Sequence, residues 1–244
     1  MARKDLKERL RQKAVDLKSK SSSGSILYLK DGDKIRVRIL NMGADEEFVK
    51  EVTQFYLGGD IKGVISPSTF DEPCALFDKY QELLKSEDEN DRKLAKKFNI
   101  RKRYMAYCLV YKDLKGSEID DRSPRFVLFT GGIYQKLIES YLDEDDWGDM
   151  SDPTNNGYDI KLGRTGAGKT DTEYTYATCP KTACPKPFGD KVYNLDEAVR
   201  SIMPSFEETQ EILHKFLGND VEDDSSMEAS PRASRRRRRG SEDI

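Results

Sequence analysis

A single histidine stands in 244 residues, at position 214 within a stretch of helical spacing, so no Ser/His or Cys/His catalytic arrangement is legible. Carboxylates are plentiful, but they gather in loops and tail instead of pairing across strand ends. Cysteine is sparse as well. Cys74, Cys108, Cys179 and Cys184 suit a reducing compartment, where disulfides are rare. Cys179 and Cys184 form one C-x4-C pair, whereas a structural zinc site wants four ligands in two close pairs, so no metal is expected. No apolar run approaches the roughly 18 residues that a membrane span requires. The charged N-terminus lacks the apolar stretch of a secretory signal. These absences predict a soluble intracellular protein that is not an enzyme and uses no cofactor.

What is present is segregated charge. The formal net charge of −3 hides a basic start, with eight Lys/Arg against three acids over Met1–Lys20. Acidic stretches follow at 143–152 and 219–228, and a run of five arginines occupies 235–239. Nucleic-acid binders often combine a basic surface with an acidic tail.

The sharpest local motif is Gly-Arg-Thr-Gly-Ala-Gly-Lys-Thr at 163–170, which fits the phosphate-binding pattern G-x-x-x-x-G-K-[ST]. That loop needs a strand before it and a helix after it, whose free amides meet the phosphates. A strand arrives through 158–162. What leaves alternates Thr172, Tyr174 and Tyr176 with Glu173 and Thr175, a strand period, and Cys179-Pro180 leaves no room for a helix. Nor does a later strand end in the acidic residue that would hold magnesium. The segment therefore predicts a β-hairpin with a cationic, glycine-rich tip. A P-loop nucleoside triphosphatase using Lys169 and Thr170 is the enzymatic alternative, and a recombination mediator or RNA-binding adaptor is the other.

Along the chain, 1–24 reads as a basic arm, 25–217 as the ordered core and 218–244 as a disordered, charged tail. In the core, 34–40 alternates cleanly, with Ile35, Val37 and Ile39 predicted to face in and Lys34, Arg36 and Arg38 to face out. Further strands are expected at 48–57, 100–111 and 124–130, and helices at 73–85, 91–98, 132–142, 195–203 and 205–217, the last two separated by Pro204. Short strands joined by glycine turns predict a mainly β fold with α, an OB-type closed barrel carrying a helical insertion and C-terminal helices.

Single strands are bound by cations along the backbone and aromatic faces under the bases. Three segments offer both: Arg36 and Arg38; Arg101, Lys102, Arg103, Tyr104 and Tyr107; and Lys161, Arg164, Lys169, Tyr174 and Tyr176. The cations of the 34–40 strand are either a solvated face or a phosphate track, and the tyrosines either half-buried core or stacking platforms. Tyr104, on the strand parity opposite Tyr107, is the leading aromatic.

The order of segments resembles the T4-type bacteriophage single-stranded DNA-binding proteins over about residues 15–217. The resemblance rests on Lys34–Leu40, on Glu72-Pro-Cys-Ala-Leu-Phe77, on Arg101–Asp113, on Arg125-Phe126 with the helix to Leu142, and on Gly157–Gly166 with Thr172-Glu-Tyr174. It implies an OB-fold core that binds single-stranded DNA without sequence preference in phage replication, recombination and repair, in the cytoplasm of an infected bacterium. It also implies cooperative head-to-tail self-association through an arm cluster, here Lys18, Ser19, Lys20 and Ser21. An acidic C-terminal tail that recruits replication and recombination proteins is matched by 219–228, and Arg101 and Tyr104 fall on DNA-contact positions. The zinc cluster of the T4 protein reduces here to Cys74, and the arginine run at 235–239 departs from the family pattern.

Overall fold

The computed structural model describes residues 26–43, 46–58, 61, 63–167 and 171–225, with side chains through residue 218. In chain order its strands are β1 (Ile26–Leu27), β2 (Lys34–Ile39), β3 (Lys50–Phe55), β4 (Val64–Ile65), β5 (Ile100–Val110), β6 (Arg125–Phe129), β7 (Tyr158–Thr165) and β8 (Glu173–Lys181). The helices are α1 (Ala75–Lys85), α2 (Glu89–Lys97), α3 (Gly131–Leu142), α4 (Leu195–Arg200) and α5 (Phe206–Ser225). None of the described helices is long and apolar enough to cross a membrane.

The longest strand, β5, organises the sheet. One edge pairs with β6, and the other is shared: β3 takes Ile100–Met105 and β2 takes Cys108–Val110. Beyond β2 come β7 and then β8, all antiparallel, while β1 adds to β6 in parallel. The order β1-β6-β5-β2-β7-β8 leaves β1 and β8 as edges that do not pair among the described residues. The fold is thus a mixed sheet with helices, mainly β with α as expected, but it is not a closed barrel. Side chains do at the gap what a strand pairing would have done. Ile133 and Leu137 of α3 enter the core, and Tyr176 of β8 donates to Ser140 Oγ on α3 at 3.0 Å.

Both faces of the sheet are covered, and this decides the site. Val37 and Ile39 lie opposite Val110 and Cys108 and pack with Ala106, Val127 and Ile160 on one face. On the other, Met105, Leu109 and Val52 pack against Leu195 and Val199 of α4. A third cluster joins Phe55 and Val64, at the β3–β4 end, to α1, α2 and α5 through Leu76, Phe98 and Phe216. Helix starts follow local chemistry. The Asp88 side chain caps α2 by accepting from Asn90 N at 2.7 Å, and Ser205 and Glu208 bond each other's backbone amides across the start of α5. Pro204 separates α4 from α5 as predicted. The composition beyond residue 217 predicts disorder, but α5 runs on to Ser225. Packing of its first turns nucleates it, and the following residues to 225 contain no proline to stop propagation.

Candidate nucleic-acid interface

The glycine-rich segment is the tip of the β7–β8 hairpin, and a strand follows it, not a helix. The backbone groups of Arg164 and Gly166 are already engaged. Gly166 N donates to Asp31 Oδ1 at 2.8 Å, Arg164 N to Asp33 O at 2.9 Å, and Gly32 N to Arg164 O at 2.9 Å. An amide that would face phosphate in a P-loop thus faces a carboxylate of the neighbouring turn. Gly166 has φ +92°, and a Cβ there would lie 2.0 Å from Asp171 O. Close backbone approach, not anion binding, accounts for this glycine. The P-loop reading fails on this geometry. Lys169 and Thr170 lie outside the described residues.

The strand β2 requires a correction. Arg38 does not face solvent; it is fully buried, with Nε 2.7 Å from Asp159 Oδ1 and Nη2 donating to Thr182 O. Arg36 bonds the other oxygen of the same carboxylate through Nε at 2.8 Å, donates to Lys115 O, and lies over the Tyr111 ring. Burial works against the Arg36 charge, but the Asp159 hydrogen bond and charge outweigh it and hold its pKa above the ordinary guanidinium value. Burial, followed by the Asp159 charge, pushes the Tyr111 phenol up. The β2 alternation is present, but on its polar side the buried Arg38 and the partly buried Arg36 share Asp159 and are not a phosphate track.

The third segment divides. Lys161 is exposed. Arg164 is half-buried, donates to Leu29 O at 2.7 Å and lies over the Tyr174 ring. Tyr174 and Tyr176 share the face of β8 that packs on the first cluster, so they are core-facing and not open platforms. Burial raises the Tyr176 pKa.

The N-terminal half of β5 keeps its cations at the surface. Arg101 and Lys102 are exposed, and Arg103 is half-buried. Lys102 pairs with Glu51 at 2.7 Å; their side chains are 72% and 47% exposed, so the pair is loosely held and open to exchange with another anion. The Lys102 hydrogen bond lowers the Glu51 pKa. Tyr104 stands beside Lys102 on one face and stacks on Tyr134 at 4.2 Å and 17°. Tyr107, on the other face, packs against Phe126 and Tyr193, and burial raises its pKa. Of the predicted aromatics, Tyr104 is the one beside exposed cations, and Tyr107 belongs to the second cluster.

Residues not picked out from sequence complete this end of the sheet. Arg103 Nε donates to Tyr56 Oη at 3.1 Å, and its guanidinium lies 5.6 Å from that ring's centroid. Tyr56 donates in turn to Gln54 Oε1, and Gln54 Nε2 donates to Tyr28 Oη at 3.0 Å. Gln54 is fully buried, while Tyr28 is 40% exposed. Tyr28 borders a cleft of about 850 Å³ between the β1/β4 end of the sheet and the α4–α5 connection. The register that sets Arg101 beside Gln54 and Arg103 beside Val52 carries this arrangement. Register was not readable from either strand alone. The only local signal was Gln54 and Tyr56 on the parity of Val52.

The cooperativity cluster Lys18, Ser19, Lys20 and Ser21 and the arginine run lie outside the described residues. Among those described, no group of three or more His, Cys, Asp or Glu is arranged to hold a metal ion. No curated protein matches the sequence. The family model described as gp32 DNA binding protein like matches residues 30–217, well over half of the chain, and bears out the resemblance read from the segments: this protein belongs to the gp32-like DNA-binding family.

Proposed function

We propose that the chain is a non-catalytic protein that binds single-stranded DNA without sequence preference, through the N-terminal half of β5. The observation that carries this reading is the exposed Arg101-Lys102 pair running into Arg103 and Tyr104 along the N-terminal half of β5 in a DNA-binding family member. Exposed cations track a phosphate backbone, and a neighbouring aromatic face stacks a base, which needs no base-edge readout. The open mixed sheet corresponds to an OB-type core whose last pairing is replaced by α3. In this reading the protein covers displaced strands during phage replication, recombination and repair in the host cytoplasm. The basic arm joins neighbours on DNA, and the acidic tail recruits replication and recombination proteins.

The test is a titration of a fluorescent oligo-dT strand against the matching duplex at low and moderate salt. Tighter binding of the single strand, falling steeply with salt, is expected. Equal or preferential duplex binding contradicts the proposal.

A further inference from the structure

We propose that Tyr28 and Arg103 form a subsite for one unpaired nucleotide, with the base stacked on Tyr28 in the cleft and the phosphate held by Arg103. The subsite rests on the single-strand reading above and extends it to residues on the sheet face opposite Tyr104.

Three observations support it. First, Tyr28 differs from the tyrosines of the hairpin and of β5. Tyr104 is stacked on Tyr134, Tyr107 lies between Phe126 and Tyr193, and Tyr176 is tied to Ser140. Tyr28 has no ring partner among the described residues, is 40% exposed, and borders the cleft of about 850 Å³. Second, its hydroxyl is pinned by a part-buried relay through Gln54 and Tyr56 to Arg103. The relay fixes ring and guanidinium relative to each other before any ligand arrives, which lowers the ordering cost of binding. Gly63 makes room for it, since a Cβ there would lie 2.5 Å from Gln54 Nε2 and 3.3 Å from Tyr28 Oη. Third, the charges of the cleft orient a nucleotide. Glu72, Glu208 and Glu211 line its helical side against a single cation, Arg200, which is itself paired with Glu72. That side repels phosphate, so the backbone passes on the Arg103 side, where no carboxylate of the described residues pairs with the guanidinium, and the base alone enters. Gln54 is a positioning residue: it touches the relay and not the ligand.

The experiment measures oligo-dT affinity at several salt concentrations for the wild type, Tyr28→Ala, Tyr28→Phe, Gln54→Leu and Arg103→Ala, with the unfolding midpoint of each. Loss of one stacked base predicts roughly 5- to 100-fold weaker binding for Tyr28→Ala with an unchanged salt slope. Arg103→Ala is expected to reduce the slope by about 0.7, as for one single-strand phosphate contact. Tyr28→Phe and Gln54→Leu keep the ring but release it, and are expected to fall between the wild type and Tyr28→Ala. A folded Tyr28→Ala that binds like the wild type overturns the subsite while leaving the single-strand reading intact. Failure of the wild type to bind oligo-dT overturns the reading beneath it. A second measurement needs no variant: photocrosslinking of a 5-iodouracil-bearing strand to the full chain, mapped by mass spectrometry. An adduct at Tyr28 supports the subsite, and adducts confined to other residues overturn it.

Discussion

Strands β2 and β5 carry the same kind of message and use it in opposite ways. Arg36 and Arg38 alternate with apolar residues on β2, and Arg101, Lys102 and Arg103 open β5. On β2 the cations lie at the covered centre of the sheet and share the single carboxylate of Asp159, more than 120 residues away in the chain. On β5 Arg101 and Lys102 are exposed, and among the described residues Lys102 has the exposed Glu51 as its carboxylate partner. A cation on a strand is therefore a fold element or a ligand contact according to what covers its face. A buried charge must be paired, whereas an exposed one exchanges its partner freely.

The largest expected effect comes from breaking the buried member of this pair. Removing the carboxylate by Asp159→Ala leaves the fully buried Arg38 guanidinium without its ion partner and is expected to cost about 3–5 kcal/mol in denaturant unfolding, and more than Arg38→Ala, which leaves Asp159 paired with Arg36. A small change would place Arg38 back among the surface cations. Next is Gly166→Ala, which combines an unfavourable φ with a backbone clash at Asp171 O and is expected to cost more than about 1 kcal/mol. Because a strand and not a helix follows the glycine-rich segment, ATP with magnesium is expected to leave the thermal midpoint of the wild type unmoved.

A smaller effect involves a carboxylate whose basic partner is buried. Asp120 accepts from the Arg122 amide and pairs with the buried Arg125 at 2.8 Å, and its pKa is lowered from 3.8, first by that amide bond. Its stabilisation is therefore present above pH 3.8 and lost as pH falls through the depressed folded value. Asp120→Asn is expected to flatten the stability profile in that acid window and leave its shape unchanged near neutrality. The smallest effect is expected for Glu51→Gln, which removes the partner of the exposed Lys102. The unfolding midpoint is expected to stay in place, while single-strand affinity at low salt rises slightly, because a competing anion is gone.

Much of the fold was readable one element at a time. The alternation on β2, the helix opened by Gly131 and Gly132, and the strand character of 173–178 each follow from local periodicity, and the last correctly displaced the P-loop motif. What was not readable depends on distant pairing. The burial of Arg38 follows from Asp159 and from α4 covering that face, neither visible from residues 34–40. The open sheet follows from α3 packing at β8 where a pairing was expected. Gln54 and Tyr56 reach Tyr28 and Arg103 only because β3 and β5 pair in one particular register, and a one-residue slip of β3 would send Gln54 and Tyr56 to the other face.

The contrast between the two strands is tested most directly by Arg101→Ala combined with Lys102→Ala, followed by both oligo-dT binding across salt and denaturant unfolding. A salt slope reduced by roughly 1.4, about 0.7 for each single-strand phosphate contact, is expected with an unfolding midpoint at the wild-type value. An unchanged slope would contradict the assignment of the DNA surface to β5. A large loss of stability would show that these cations, like those of β2, hold the fold.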